Sequence, residues 1–282
     1  MMVRNIYKFC LLSLMIFSMS SCSIAGSWVY DRLDNYLADY FKEFANFSQE
    51  QDEEIEIIST EFINWFSENE LSKVKVILEK LKNMNLQNPE KEISSIYKGA
   101  EGIFTRSNFY FKSPIISFTK EINEVQIDEI GSHFRELREK RKKERLENGY
   151  SLIDNYISGF DRVGIKLRDD QIDEINLKLE NHIEVREEWS NLREQWIEEF
   201  IQLLKNNKSS DYEAKMSAYL DSLEELGEEK FREKIDKNEL LAQEIISFVF
   251  KSSNEKQIDS FNRSLDVYLK SINRILSKRQ VN

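Results

Sequence analysis

The chain contains 282 residues, of which 32% are charged, and its formal net charge is −11. This acidic balance argues against nonspecific binding to nucleic acid, because such binding needs a surplus of Lys and Arg facing the phosphates. The length accommodates one large domain or two small ones.

The first residues are typical of a secretion signal. Arg4 and Lys8 precede an apolar stretch at 9–19, which is shorter than the about 20 residues that a membrane-spanning helix needs. We therefore predict that residues 1–21 are a signal peptide. No later apolar run is long enough to predict a membrane span.

The signal ends in Met19-Ser20-Ser21-Cys22, which resembles the lipobox of bacterial lipoproteins. The resemblance implies that the Cys22 thiol receives a diacylglyceryl group and that cleavage then exposes an amine for acylation. These chains would anchor the mature protein in the membrane. Ser23, where enteric-type lipoproteins retained at the inner membrane have Asp, implies an outer-membrane protein that faces the periplasm. The alternative is an ordinary secretory signal with a chance cysteine.

Residues 22–282 are predicted to form a single all-helical domain. The whole chain has only eight Gly and two Pro, and such a scarcity of helix breakers favours helix. A subdivision of the domain is possible near 107–123. The β-formers at 103–112 could form a local strand.

Both prolines are predicted to begin helices. Asn88 precedes Pro89 and Ser113 precedes Pro114, so each proline follows a side chain that can cap a helix. Proline is tolerated at the first helical position because its missing N–H would have no intrahelical partner there.

A helix-start pattern occurs four times. In three copies a Ser or Asn precedes a Gln by three residues, which is the spacing of a capping box. In the remaining copy Arg168 occupies the cap position, so we expect Asp169 to cap that helix instead. The four pairs are Ser48 with Gln51, Asn123 with Gln126, Arg168 with Gln171 and Asn254 with Gln257.

Apolar residues at helical spacing lie on both sides of these boxes. A helix, a tight capped turn and a second helix predict an antiparallel αα-hairpin. The boxes are 75, 45 and 86 residues apart, which excludes a solenoid of strict period. We predict an all-α fold of antiparallel helical hairpins packed as a bundle or a short curved stack.

No residue set predicts catalysis, a metal site or a cofactor. His133 and His182 are the only histidines, and neither has the Glu three residues before it that a di-iron helix motif needs. They could share a face if their helices pair, although two ordinary, partly exposed histidines are the simpler interpretation. Because zincin, nucleophile-elbow and phosphate-loop motifs are also missing, we predict no catalytic residues and a protein that is not an enzyme.

One strongly basic segment interrupts this acidic sequence. It is a candidate site for an anionic partner such as a lipid phosphate or an acidic protein. The simpler interpretation is an exposed helix with i,i+4 ion pairs from Glu136 to Lys140 and from Glu139 to Lys143. The segment contains Lys140 and the six candidate binding residues Arg135, Arg138, Arg141, Lys142, Lys143 and Arg145.

The stretch from Trp189 to Leu204 carries a heavy apolar stripe. We expect this stripe to belong to the hydrophobic core. A groove for an acyl chain or a partner helix is the alternative. The stripe consists of Trp189, Leu192, Trp196, Ile197, Phe200, Ile201 and Leu204.

The sequence as a whole resembles a family of uncharacterised bacterial lipoproteins. The matching features are Cys22, the tyrosines of 30–40, the four boxes, the basic segment and the stretch 189–204. The resemblance implies an envelope location and a helical fold, but the family has no established activity to carry over. We therefore expect a protein anchored to the membrane by its N-terminal lipid that binds another envelope component, most simply a protein. A carrier or chaperone with an apolar groove between hairpins is the alternative.

Overall fold

A computed structural model describes residue 30 and residues 32–149, 151–222 and 227–279. The signal segment and Cys22 lie outside these described residues. Within them the fold is all-helical, as the sequence predicts, and contains no strand. The helices are α1 (Leu33–Lys42), α2 (Gln49–Asn69), α3 (Leu71–Lys82), α4 (Glu90–Glu121), α5 (Glu124–Asn148), α6 (Leu152–Arg162), α7 (Asp169–Leu179), α8 (Arg186–Leu204), α9 (Tyr212–Ser222), α10 (Glu229–Ser252) and α11 (Glu255–Arg279).

The long helix α4 organises the packing. It contacts α2, α3, α9 and α10, while α11 packs against α3 and α5 packs against α8. Two sequence predictions fail on this helix, because α4 runs without a break through 103–112 and through Pro114. Ile103 and Phe104 are both buried there, so tertiary packing overrides the local β preference. The helix also tolerates the loss of one backbone hydrogen bond, because Pro114 has no N–H to donate.

Three of the four boxes form as predicted. The side chain of Ser48 accepts the Gln51 backbone N–H at 3.3 Å, and the Ser48 N–H donates to the Gln51 side chain at 2.9 Å. Asn123 with Gln126 and Asn254 with Gln257 make the same reciprocal pair. These bonds satisfy backbone donors that a helix start otherwise leaves without partners.

The prediction that Asp169 caps α7 is wrong. Asp169 is the first helical residue, and Arg168 occupies the cap position with an extended backbone. Only the glutamine half of the box forms, with the Arg168 N–H donating to Gln171 Oε1 at 3.1 Å. A guanidinium has donors and no acceptor, so the side chain of Arg168 turns to other partners.

The four boxes join in two pairs. Gln126 Nε2 donates to Gln51 Oε1 at 2.6 Å and to the carbonyl of Asn46 at 3.2 Å. Gln257 Nε2 donates to Gln171 Oε1 and to the carbonyl of Lys166, both at 2.8 Å. Asn46 and Lys166 each lie two residues before a cap, so the two pairs are built alike.

These pairs define an internal structural repeat. The segment from α1 to the cap at Ser48 recurs 120 residues later as α6 and the cap at Arg168, and Asp34-Asn35-Tyr36 recurs as Asp154-Asn155-Tyr156. Helix α5 recurs 131 residues later as α11, and both helices have 25 residues. The first half therefore contains α1–α5 and the second half contains α6–α11.

In each half of the chain, the turn of one helical hairpin packs at the place where two other helices meet. The tips are the α1–α2 and α6–α7 turns, whose flanking helices pack together as predicted. At the other two boxes the hairpin packing is looser. Helices α4 and α5, and likewise α10 and α11, make their main contacts with other described helices, although the Phe250 ring of α10 and the Phe261 ring of α11 lie 5.1 Å apart, centroid to centroid. The first tip packs with Phe47 against Phe118 and with Phe44 against Phe134, at ring-centroid distances of 5.3 and 5.2 Å.

The second tip belongs to a large apolar cluster, called here the central cluster. It draws together the α6–α7 turn and helices α4, α10 and α11, and its buried members are Met84, Ile93, Phe160, Ile165, Leu167, Ile175, Leu241, Ile245, Val249, Phe250, Phe261 and Leu265. The turn depends on Gly164, whose φ of +86° is unfavourable for other residues. A Cβ atom at Gly164 would lie 2.9 Å from the carbonyl oxygen of Ser260 on α11.

A buried carboxylate stabilises the bend between α2 and α3. Glu70 has 1% of its side chain exposed and accepts hydrogen bonds from Arg106 Nε and Nη2 at 2.7 and 2.6 Å and from Lys73 Nζ at 3.0 Å. Burial acts to raise the pKa of Glu70, but the hydrogen bonds from Arg106 and Lys73 outweigh it and hold this pKa below its usual value.

Candidate interaction site

The basic segment of α5 has two different parts. The first turns of α5 are part of the core, with Ile127 and Ile130 buried and Phe134 half-buried. From residue 138 to residue 149, every side chain whose exposure is described is exposed. We call residues 138–148 the arm of α5.

The structural repeat shows what is unusual about this arm. The equivalent part of α11 is residues 269–279, where Ile272 and Ile275 are buried against α2 and α3. The residues at the equivalent positions of α5 are Arg141 and Glu144, which are both exposed. The apolar stripe that fixes α11 to the body therefore stops halfway along α5.

The candidate residues do not form one uniform surface. Arg135 precedes the arm and donates to Ser132 Oγ at 2.8 Å. Arg138 forms an ion pair with Glu194 of α8 and lies 3.3 Å from Glu139. Arg141, Lys142 and Lys143 extend beyond this contact and are exposed. The side chain of Arg145 lies outside what the structure describes.

The ion pairs along the arm differ in detail from those predicted. Glu139 contacts Arg138, and Lys143 reaches Glu147 at 3.7 Å as an i,i+4 pair. Exposed pairs of this kind contribute about 0–1 kcal/mol. They support the helical conformation and leave the arm strongly charged.

A shallow groove runs between the start of the arm and α8. Arg138, Glu139 and Lys142 form its α5 side, and the α8 side combines Arg186 with acidic and neutral polar residues. The groove therefore carries charges of both signs, and none of its lining residues has an apolar side chain. Its lining on the α8 side consists of Glu184, Arg186, Glu187, Ser190, Asn191 and Glu194.

The apolar stripe of α8 is packed as core, as expected. Trp196 stacks on Tyr219 at a ring-centroid distance of 5.0 Å, and Trp189 stacks on Phe231 at 5.9 Å. Leu204 is fully buried against α5 and α9. An apolar groove for an acyl chain would need these rings to face a cavity, whereas they pack on neighbouring helices.

The two histidines are not brought together. Both are half-buried, but α5, which carries His133, packs on α8, and His182 lies in the turn after α7 rather than on a helix. The His133 ring lies 4.4 Å from the Phe44 ring, centroid to centroid. Among the described residues no group of three or more His, Cys, Asp or Glu side chains could hold a metal ion.

Comparison with family models, with curated proteins and with solved structures finds no match to this chain. None of the described helices has both the length and the apolar character needed to cross a membrane.

Two features of the site were not predicted from the sequence. One is the exchange of hydrogen bonds between boxes, which joins residues 75 and 86 positions apart. The other is the loss of the packing stripe along α5. The Asp-Asn-Tyr triplet shared by α1 and α6 is a sequence trace of the repeat, but a match of three residues is too short to reveal the repeat without the paired hydrogen bonds of the boxes.

Proposed function

We propose that this chain is a lipid-anchored protein of the bacterial cell envelope that faces the periplasm and binds another envelope protein through the arm of α5. The proposal includes membership in the lipoprotein family that the sequence resembles, an outer-membrane location and a non-enzymatic role. The partner has an acidic surface complementary to the arm.

The anchor rests on the order of features at the start of the sequence. A basic start, an apolar stretch and a lipobox-like ending at Cys22 follow one another at the spacing of a lipoprotein signal. Each buried methylene of an acyl chain contributes about 0.8 kcal/mol, and one chain alone gives only reversible binding. Two or three chains on Cys22 would hold the protein at the membrane.

The partner role rests on one observation, the exposed basic arm. Residues 138–148 contain six Lys or Arg and three Glu, so the arm carries a net positive charge in a chain whose net charge is −11. The one apolar side chain of the arm, Leu146, is 78% exposed, so none of the arm's side chains whose exposure is described is buried in the core. Complementary charge steers a partner to such a surface and sets its register.

Crosslinking in living cells tests this proposal. A photo-crosslinking amino acid at Glu144 should capture a partner, because this position is exposed on the arm and is not one of the cations. Replacing Arg141, Lys142 and Lys143 with Glu should abolish the captured band. Mass spectrometry of the band from the unsubstituted arm identifies the partner.

A matched variant controls for net charge. Lys230, Lys237 and Lys256 are exposed on α10 and α11, and changing these three to Glu alters the total charge equally. The captured band should survive in this control. If both triple variants retain the band, or both lose it, the arm is a solvated helix and the proposed partner role is wrong.

A further inference from the structure

The outward face of α1 carries exposed aromatic side chains. Tyr36 and Tyr40 are 54% and 48% exposed, and their spacing of four residues places them one helical turn apart. The exposed residues of α1 and its flanks are Arg32, Asn35, Tyr36, Asp39, Tyr40 and Glu43. We call this surface the tyrosine face.

In the second half of the chain, the equivalent face of α6 is covered by other residues. Tyr156 and Phe160 are the residues of α6 equivalent to Tyr36 and Tyr40. Phe160 is only 8% exposed, and Tyr156 packs against the central cluster. This helix surface is therefore packed within the fold in the second half. In the first half about half of each tyrosine remains exposed, although the Tyr40 ring also contacts Phe44 at a centroid distance of 5.5 Å.

The residue just before α1 is held against α2, only a few residues from the proposed lipid attachment site at Cys22. Tyr30 is 6% exposed and its hydroxyl is hydrogen-bonded to Ser67 of α2. Eight residue steps separate Cys22 from Tyr30, which span at most about 28 Å when fully extended. A lipid on Cys22 would thus hold α1 within reach of the bilayer.

We propose that the tyrosine face docks on the bilayer to which the chain's own lipid is attached. Tyrosine rings favour the headgroup layer, where their apolar body and hydroxyl are both accommodated. The inference rests on the proposed anchor, because two rings alone bind weakly. A short tether gives an effective concentration of about 1 mM or more, so weak docking becomes populated once Cys22 is anchored.

The charges of the face make this docking different from binding through the arm of α5. Arg32 is accompanied by the exposed acidic residues Asp39 and Glu43, so attraction to anionic headgroups does not drive the contact. Raising the salt concentration from 0.1 to 1 M shortens the Debye length from about 10 to about 3 Å. Docking of the tyrosine face should persist under this change.

A fluorescent probe at Asn35 tests the docking in the lipidated full chain. The only cysteines are Cys10, in the signal, and Cys22, so a cysteine introduced by Asn35→Cys is the sole reactive thiol of the mature protein. Asn155 is the equivalent exposed residue of α6, and Asn155→Cys provides the matched control. Both proteins are reconstituted in vesicles of phosphatidylethanolamine and phosphatidylglycerol that contain brominated lipid.

The probe at Asn35 should show blue-shifted emission and quenching by lipids brominated near the headgroup, and the probe at Asn155 should show neither. Adding Tyr36→Ser and Tyr40→Ser should remove the quenching at Asn35 while the protein still floats with the vesicles. Equal, weak quenching at both probes in floating protein would overturn the docking and leave the anchor intact. Disulfide crosslinking between unlabelled Asn35→Cys copies would overturn it in favour of a second copy of the chain. If the wild-type protein does not float with vesicles, the anchor and the docking are both wrong.

Discussion

Gln257 is the residue at which the interlocked boxes can be tested most directly. Its side chain is 6% exposed and has four partners. Oε1 accepts from the Asn254 N–H at 3.1 Å and from Arg168 Nη1 at 2.6 Å. Nε2 donates to Gln171 Oε1 and to the Lys166 carbonyl, both at 2.8 Å.

The substitution Gln257→Ala should therefore be costly. Three of the lost hydrogen bonds are between neutral groups, at about 1 kcal/mol each, and the bond to the guanidinium adds about 1.5 kcal/mol or more. We expect a loss of about 4.5 kcal/mol in the free energy of unfolding, which is a large part of the about 5–15 kcal/mol typical of a native protein. Tm should fall by about 10 °C.

The first half provides an internal comparison. Gln126 makes the equivalent bonds to the Asn123 N–H, to Gln51 and to the Asn46 carbonyl. In place of an arginine, Gln51 Nε2 donates to Gln126 Oε1 at 3.3 Å. We expect Gln126→Ala to cost about 3.5 kcal/mol, because this fourth bond is long and neutral rather than charge-assisted.

Urea unfolding of the mature chain, followed by circular dichroism and tryptophan fluorescence, measures both costs. Gln49→Ala is the control, since Gln49 is exposed and donates only to Glu53 at 3.0 Å among the bonds of its side chain. It should change stability by less than about 0.5 kcal/mol. The reasoning is refuted if Gln257→Ala unfolds at the same urea concentration as Gln49→Ala, or if Gln126→Ala is the more damaging substitution.

Three further predictions concern the turn of the second half, the buried carboxylate and the anchor. Gly164→Ala should cost about 3 kcal/mol in urea unfolding, because a positive φ and a close backbone oxygen both oppose a Cβ atom, whereas Gly159→Ala, in open helix surface, should stabilise by about 0.5 kcal/mol. Glu70 contributes stability that is present above its unfolded-state pKa of about 4.3 and is lost as the pH falls through its lower folded-state pKa. Glu70→Gln should therefore lower Tm at pH 7 and flatten the dependence of Tm on pH below 5, and an unchanged acid profile would contradict this. Cys22→Ser should block incorporation of radiolabelled palmitate into the mature band, and labelled mature protein in that variant would disprove the lipobox interpretation.

The part of the fold that depends on neighbouring residues could be predicted from the sequence. A capping box joins residues three positions apart, so Ser48, Asn123 and Asn254 identified three helix starts correctly. The prediction that Asp169 caps α7 was wrong. The capping rule considers only neighbouring residues and takes no account of the long side chain of Arg168, which occupies the cap position. Arg168 donates to Asp170 in the first turn of its own helix, and its guanidinium also reaches the Ser252 carbonyl of α10 and Gln257.

Tertiary contacts, rather than local sequence preferences, make α4 one continuous helix. A proline after a serine predicts a helix start, and the residues 103–112 have β preference, yet one helix passes through both. Contacts with α2, α3, α9 and α10 surround α4, and burial of Ile103 and Phe104 favours a continuous helix. Local preferences of a few tenths of a kcal/mol per residue are small beside the burial of such side chains.

For the arm of α5 and the tyrosine face as well, the sequence determined some properties and the tertiary structure determined others. The sequence by itself determined the composition of the arm of α5 and the presence of tyrosines on α1, because charge and residue type can be read position by position. Only the tertiary structure decided that the arm extends past the last buried residue of its helix, and that Tyr36 and Tyr40 are exposed where Tyr156 and Phe160 are packed. Exposure depends on which helix lies opposite, and those neighbours come from residues far away along the chain. Two copies of one helical pattern can therefore be covered in one half of the protein and open to a partner in the other.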